Sequence, residues 1–191
     1  MVPPAADLLA AGRPWFRRPL AVSPTADRLY LLGPDGDLHA WRLDAEARAS
    51  MLSLAGVPTT RATSIALSAD GRTLAVGGAE GGVTLLDALG GPSLRRLPAP
   101  ASIPPESASS LAFSPDGTEL AVGGTEGPVH LWKLGPGDPS LLVRLPGHRG
   151  PAAALAFDAD GRRLAAADEK GVDVWDLGRL RKRLEGLGLG W

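Results

Sequence analysis

The segments 64–87 (SIALSADGRTLAVGGAEGGVTLLD) and 110–133 (SLAFSPDGTELAVGGTEGPVHLWK) align without a gap at an offset of 46 residues. A further copy follows at 154–176 (ALAFDADGRRLAAADEKGVDVWD), and a fainter one precedes them at 19–42 (PLAVSPTADRLYLLGPDGDLHAWR). A fixed period of about 20–50 residues is typical of chains in which each unit buries its apolar face on the next unit. We therefore predict four units, over about 19–63, 64–109, 110–153 and 154–177, in this chain of 191 residues.

Each unit is predicted to be a small antiparallel sheet. In the third copy, apolar runs at 111–113, 120–122, 129–132 and 141–145 alternate with turn segments too closely for helices. The first turn contains Pro115, which presets φ, and Gly117, which accepts a positive φ. Four antiparallel strands in about 45 residues are typical of one blade of a β-propeller. The predicted fold class is therefore all-β, a propeller of four blades.

The copies carry residues that resemble those of the WD-repeat family. Gly147 and His148 form a Gly-His pair, and His148 lies 27 residues before Trp175, which is followed by Asp176. These two pairs mark the family, and the first hairpin turns of the later copies also look like its turns. The resemblance implies a bacterial-type WD-repeat β-propeller of four repeats. It also implies structural roles for Gly147, His148, Trp41, Trp132, Trp175, Asp176, Asp70, Asp116 and Asp160.

The chain also departs from the family pattern. Only the last copy keeps both pairs, since Trp132 is followed by Lys133 and Trp41 by Arg42. Members of the family carry an Asp in the turn before the third strand, where it supports a His-Ser-Trp hydrogen-bond network. The comparable positions here hold Asp35, Glu80, Glu126 and Lys170. The resemblance therefore implies that this network is broken in most blades and that stability depends more on packing between blades.

The number of blades leaves three arrangements open. Propellers have about 4–8 blades, and this chain supplies four. The first arrangement is a closed four-bladed ring, and the second is half of an eight-bladed ring made by two chains. The third is a truncated or divergent relative of longer propellers, or a part that docks onto the blades of a partner. We prefer the closed monomer. To close a ring, the N-terminal segment 1–18 is predicted to supply the outer strand of the last blade through residues 5–11. A helix over the same residues is the alternative.

The C-terminal tail, 178–191, is predicted to be an amphipathic helix. Leu177, Leu180, Leu184 and Leu187 recur every three or four residues with basic residues between them. Asp176 or Leu177 is expected to begin the helix and Gly186 to end it. Packing of the leucines on the rim of the propeller is favoured over docking of a partner and over contact with a membrane or nucleic acid.

Composition argues against several classes of function. The net charge of −1 provides no field for holding nucleic acid or an anionic membrane. The absence of cysteine excludes disulfides, thiolate metal ligands and thiol nucleophiles. No segment of 18 apolar residues and no export signal is recognised, so the predicted location is the cytoplasm. His39 and His130 occupy equivalent repeat positions and would not converge on one ion, so no metal and no cofactor are predicted.

The expected function is a non-catalytic protein–protein interaction scaffold. Its partner-binding rim is predicted at a recurring acidic turn together with the Gly-His turn of the last copy, and comprises Asp35, Glu80, Glu126, Glu169, His148 and Arg149. The partners are proteins, with a homodimer as a further expectation. The alternatives are a part that serves mainly to assemble a larger propeller and, less favoured, a propeller-type hydrolase or lactonase. No set of nucleophile, base and orienting residue supports the last alternative, so no enzyme is predicted.

Overall fold

The computed structural model describes residues 19–33, 36–46, 48–52, 61–91, 93–97, 107–125, 128–146 and 151–188. Within these ranges the chain forms four antiparallel sheets and one helix. Blade 1 contains β1 (Leu20–Val22), β2 (Arg28–Leu32), β3 (Leu38–Leu43) and β4 (Ala49–Leu52). Blade 2 contains β5 (Ala62–Leu67), β6 (Thr73–Gly78), β7 (Val83–Asp87) and β8 (Ser93–Leu97). Blade 3 contains β9 (Ser110–Phe113), β10 (Glu119–Gly123), β11 (Val129–Lys133) and β12 (Ser140–Leu145). Blade 4 contains β13 (Ala154–Phe157), β14 (Arg163–Ala167) and β15 (Val172–Asp176), and helix α1 (Leu177–Glu185) follows it.

These elements confirm the predicted all-β class and the short C-terminal helix. Each sheet is ordered as its strands occur along the chain, so every blade is a meander. The segment 5–11, predicted to complete blade 4, lies outside the described residues. The first strands of the blades contact one another in sequence, β1 with β5, β5 with β9 and β9 with β13. They therefore form the inner side of the array, with the later strands of each sheet farther out.

The apolar core lies between the blades. Successive side chains of a strand point to opposite faces of its sheet, and both faces of the middle sheets are covered. We call the face that packs on the preceding blade the leading face and the opposite one the trailing face. On the leading face of blade 3 are Leu111, Leu120, Val122 and Trp132, and they pack on Ala75, Val83, Leu85 and Leu97 of the trailing face of blade 2. Similar clusters join blade 1 to blade 2 and blade 3 to blade 4.

The turn after the first strand of each blade requires a left-handed residue. Gly71, Gly117 and Gly161 occupy it with φ values of 69°, 71° and 64°, and Ala26 occupies it in blade 1 with a φ of 55°. A residue with a Cβ is disfavoured in this conformation by about 1–2 kcal/mol. Blade 1 therefore contains a turn that glycine would fit better.

We expect Ala26→Gly to raise the free energy of unfolding by about 1 kcal/mol, because the relief of strain exceeds the added entropy of the unfolded chain. Urea denaturation followed by circular dichroism measures the change. Ala69→Gly is the matched control. Ala69 lies in the blade 2 turn, two residues before Gly71, and does not have a positive φ. A loss of stability in Ala26→Gly, like that expected of the control, would contradict the strain argument.

Helix α1 packs against blades 3 and 4. The Asp176 side chain caps it by accepting the backbone N–H of Arg179 at 2.7 Å, and Gly186 follows its last residue. Leu177 is fully buried and Leu180 partly buried in the cluster between these blades. Arg181 donates to both carboxylate oxygens of Glu119 at 2.7 Å and to the carbonyl of Gly161 at 3.0 Å. The helix therefore ties the first turn of blade 4 to blade 3.

We expect Arg181→Met to lower the free energy of unfolding by about 2 kcal/mol, because the buried Glu119 carboxylate loses the charged Nη2 group that donates to both of its oxygens. Arg179→Met is the control, since the Arg179 side chain is exposed on the same helix. Thermal denaturation of both variants gives the comparison. Equal melting temperatures for the two variants would show that the ion pair contributes nothing to stability.

Candidate protein-binding face

The meander order places the turns of every blade at two opposite ends of the array. We call one end the loop face; it holds the turns β2–β3, β6–β7, β10–β11 and β14–β15 and the connections between blades. We call the other end the helix face; it holds the first turn of each blade and α1. Glu80 and Glu169, the acidic turn residues that the structure describes, belong to the loop face, because each lies between the second and third strands of its blade.

Backbone and hydroxyl hydrogen bonds fix the described part of the loop face. Thr63 and Ser64 of blade 2 both donate to the carbonyl of Ala108, which begins blade 3, at 2.8 and 2.5 Å. Ser109 repeats this bond one blade later, to the carbonyl of Ala152 at 3.1 Å. The Ala108 N–H in turn donates to the Gly78 carbonyl of blade 2. These bonds tie the described residues at the start of blades 3 and 4 to the preceding blade, so the described part of this end is preorganised.

Two of the predicted rim residues lie in the described part of the loop face. Glu80 and Glu169 are both exposed there, two blades apart. The other members of the predicted rim, Asp35, Glu126, His148 and Arg149, lie outside the described residues, as does Gly147. The predicted rim is therefore only partly placed by the structure, and it stays a prediction.

The structure adds two arginines that the repeat pattern did not reveal. Arg61 and Arg96 line a shallow pocket together with Glu80, Thr84 and the surrounding glycines of blade 2. Arg96 has a counterpart in blade 3, since it pairs with Thr84 as Arg144 pairs with His130. The aligned segments 64–87 and 110–133 include neither Arg61 nor Arg96, so the comparison of the copies did not point to them. Basic groups therefore flank the acidic turn of blade 2, and the charge of the described loop face is mixed.

Arg61 is held in an unusual backbone conformation. Its φ is 56°, and its carbonyl accepts the N–H of Ala79 at 3.1 Å. Gly36 of blade 1 has a φ of 83°, and a Cβ at this position would lie 2.9 Å from the Arg61 Cα. Blades 1 and 2 thus jointly fix the segment that carries the Arg61 side chain, a form of strain that is typical of functional positions.

The predicted signature tryptophans do not share one environment. Trp132 is 5% exposed between blades 2 and 3, whereas Trp41 is half-buried on blade 1 and stacks on His39 with ring centroids 5.7 Å apart. Trp175 is half-buried and donates its indole N–H to the Pro146 carbonyl at 2.9 Å. The equivalent side chains therefore become more exposed at the two ends of the array.

The signature aspartates close turns on the helix face. Asp70 accepts the hydroxyl of Ser68 at 2.5 Å, and Asp116 accepts that of Ser114 at 2.6 Å. These hydroxyls, followed by backbone N–H groups, hold the pKa of both carboxyls below the usual value. Because the folded-state pKa is lowered, this contribution to stability is present at neutral pH and is lost as the pH falls through that pKa. In blade 4, Asp158 replaces the serine and accepts the N–H groups of Arg162 and Arg163, so the turn is closed by Asp158 rather than by Asp160.

His130 occupies a buried position on the leading face of blade 3. It is 3% exposed, and its Nε2 lacks a hydrogen-bond partner. Burial, and secondarily the charge of Arg144, lower its pKa. The ring is therefore neutral at pH 7. No group of three His, Asp or Glu side chains within the described ranges is arranged to hold a metal ion. In the same part of the chain, no helix is long and apolar enough to cross a membrane.

Comparison with known families supports the WD-repeat class for this arrangement of sheets. The family model "WD domain, G-beta repeat" matches residues 139–176, which include β12 to β15. The match covers the copy that keeps the Gly-His and Trp-Asp pairs. No curated protein sequence matches the chain significantly.

Solved structures show the fold over most of the chain. Two crystal structures of Sqt1 from Chaetomium thermophilum, and one of this Sqt1 bound to the N-terminus of the ribosomal protein L10, align with 82% of the chain at a TM-score of 0.69 and 24% identity. The chain spans 42–44% of the length of these structures. The likeness supports a β-propeller fold, and the chain corresponds to less than half the length of each of these structures.

Proposed function

We propose that this chain is a non-catalytic scaffold that binds a protein segment on its loop face. The hydrogen bonds between adjacent blades are the observation that carries the proposal, since Thr63, Ser64 and Ser109 fix the described part of that face. A surface fixed before binding loses little conformational entropy when a partner binds. The Sqt1 structure with the N-terminus of L10 supports a protein segment as the kind of partner.

The pocket beside Glu80 is the proposed contact within this face. Arg61 and Arg96 offer charge-assisted hydrogen bonds to a carboxylate, and Glu80 offers an acceptor to a basic group. The partner segment is therefore proposed to carry charges of both signs. The proposal adds Arg61 and Arg96 to the predicted rim, of which Glu80 and Glu169 lie in the described part of the face.

Affinity capture with quantitative mass spectrometry tests the proposal. The immobilised chain is compared with an Arg61→Ala/Arg96→Ala variant and with Arg179→Ala, which removes an exposed arginine from the helix face. We expect the loop-face variant to recover at least about fivefold less of a specific partner, since charge-assisted contacts contribute about 1.5–3 kcal/mol. If the loop-face variant captured the partner in full and the Arg179 variant did not, the partner would bind at the helix face, and the proposal would be wrong.

A further inference from the structure

The two ends of the array expose faces that are buried everywhere else. Among the described strands, β13 makes no contact with β1 comparable to those between neighbouring inner strands. Leu20 and Val22 on the leading face of blade 1 are 58% and 49% exposed, and Val172 and Val174 on the trailing face of blade 4 are 65% and 61% exposed. Exposed apolar patches of this kind on a soluble domain mark interaction surfaces.

The exposed face of blade 1 repeats the residue set of the buried leading faces. Strand pairing puts Leu20 opposite Leu31 and Val22 opposite Leu29, with Trp41 next to Leu29 on the same face. In the aligned copies, the Leu20 position holds Ile65 and Leu111, each 9% exposed, and the Leu29 position holds leucines that are fully buried. The same face therefore packs on a preceding blade at every junction that the structure contains.

The exposed face of blade 4 repeats the residue set of the trailing faces. Val172 pairs with Ala167, and Val174 pairs with Ala165, which gives a surface of small apolar side chains. The Val172 position holds Val83 and Val129 in blades 2 and 3, and these are 1% and 0% exposed. The Val174 position holds Leu85 and Leu131, which are 4% and 0% exposed. Blade 4 thus presents the surface that receives a leading face elsewhere in the molecule.

We propose that two copies of this chain associate head to tail, with blade 1 of each copy packed on blade 4 of the other. This contact has the same form as the contact between successive blades within one chain. The two faces carry the same types of residue, and one blade is rotated relative to the next in the same way. A head-to-tail contact yields a ring when the rotation closes and a filament when it does not. The chain spans 42–44% of the length of the Sqt1 structures, so two copies supply nearly the length of one such chain.

The mass of the chain in solution tests the association. Light scattering after size exclusion is expected to give twice the 19.7 kDa of one chain. Leu20→Glu and Val174→Glu, which change opposite end faces, should each give single chains. Leu89→Glu is the control, since Leu89 is 54% exposed in a turn of blade 2 and belongs to neither end face. Single chains in the unmodified protein at every concentration from micromolar to submillimolar would overturn the proposal, and so would species that keep growing with concentration.

Mixing the two variants tests the head-to-tail geometry. An equimolar mixture keeps one intact pair of faces, blade 1 of the Val174→Glu chain and blade 4 of the Leu20→Glu chain, so the mixture should regain paired chains. A contact between two copies of blade 1 would instead leave the Val174→Glu variant paired by itself and would refute the arrangement.

A cysteine probe gives a readout that needs no charged substitution in an apolar face. The chain contains no cysteine, so Val174→Cys introduces a single thiol of similar size. Its reaction with a thiol reagent should be at least about tenfold slower at high than at low protein concentration, because association removes the free face. Leu89→Cys should react equally at both concentrations. Protection of Cys at position 174 that is independent of concentration would indicate closure within one chain and would refute the proposal.

Discussion

Trp132→Ala is expected to lower the free energy of unfolding by about 3–5 kcal/mol, as large-to-small substitutions of buried aromatic residues do. Trp132 is 5% exposed and belongs to the cluster between blades 2 and 3, with Val83, Leu85 and Leu97 on the facing sheet. Removal of the indole leaves a cavity that two sheets, fixed by their own hydrogen bonds, cannot fill by moving together. Urea denaturation at low protein concentration measures the loss.

Trp41→Ala is the matched control for this substitution. Trp41 occupies the same repeat position on the leading face of blade 1, where no described blade covers it, and it is half-buried. Its loss should cost about 1–2 kcal/mol, since much of its surface already contacts water. Equal losses for the two tryptophans would contradict the conclusion that the core lies between blades.

Gly123→Ala is expected to cost about 3 kcal/mol, because a single methyl group would overpack the junction of blades 3 and 4. A Cβ on Gly123 would lie 2.5 Å from the Ala152 Cβ and 2.6 Å from the Ser110 Oγ. The Ala152 Cβ is fixed to the backbone and cannot rotate away, and Ser110 is only 7% exposed, so its hydroxyl has little room to move. For a chain of this size, we expect a fall in Tm of about 6–12 °C.

Gly137→Ala is the control for this substitution. Nothing lies within 4 Å of a Cβ at Gly137, and its φ is not positive. Its melting temperature should therefore stay close to that of the unmodified chain, because substitutions without contacts change stability by no more than about 0.5 kcal/mol. If the two variants had similar Tm values, the fall in Tm of Gly123→Ala would arise in the unfolded state, and the crowding at the junction would not explain it.

The sequence was sufficient to predict the features that follow the period. Leu74, Leu120 and Leu164 recur at one repeat position, and all three are fully buried, because each lies on a leading face that packs on the preceding blade. The spacing of leucines after Asp176 likewise predicted the helix, which the structure shows to be capped by Asp176, one of the two residues expected to begin it. Apolar residues that recur at one repeat position identify a buried face, because every copy packs on its neighbour with that same face.

Features that occur once could not be predicted in this way. Glu119 lies 62 residues before Arg181, and their ion pair depends on how the helix turns back onto blade 3. The left-handed backbone of Arg61 depends on the approach of Gly36 from another blade. In blade 4, Asp158 rather than Asp160 closes the first turn, although the spacing made Asp160 the equivalent of Asp116. Such contacts depend on the three-dimensional arrangement, and they cannot be recognised from the repeat in the sequence because they occur in one copy only.

The sequential contacts of the inner strands have a consequence for the way the fold comes apart. Within the described residues, blades 2 and 3 each have two neighbouring sheets, whereas blades 1 and 4 each have one. In a linear array of this kind, opening starts at the terminal units and spreads inward, so the slowest-exchanging amides belong to the middle. A ring has no terminal unit. Joining the ends would therefore remove the site where opening starts and turn a gradual loss of structure into a single cooperative transition.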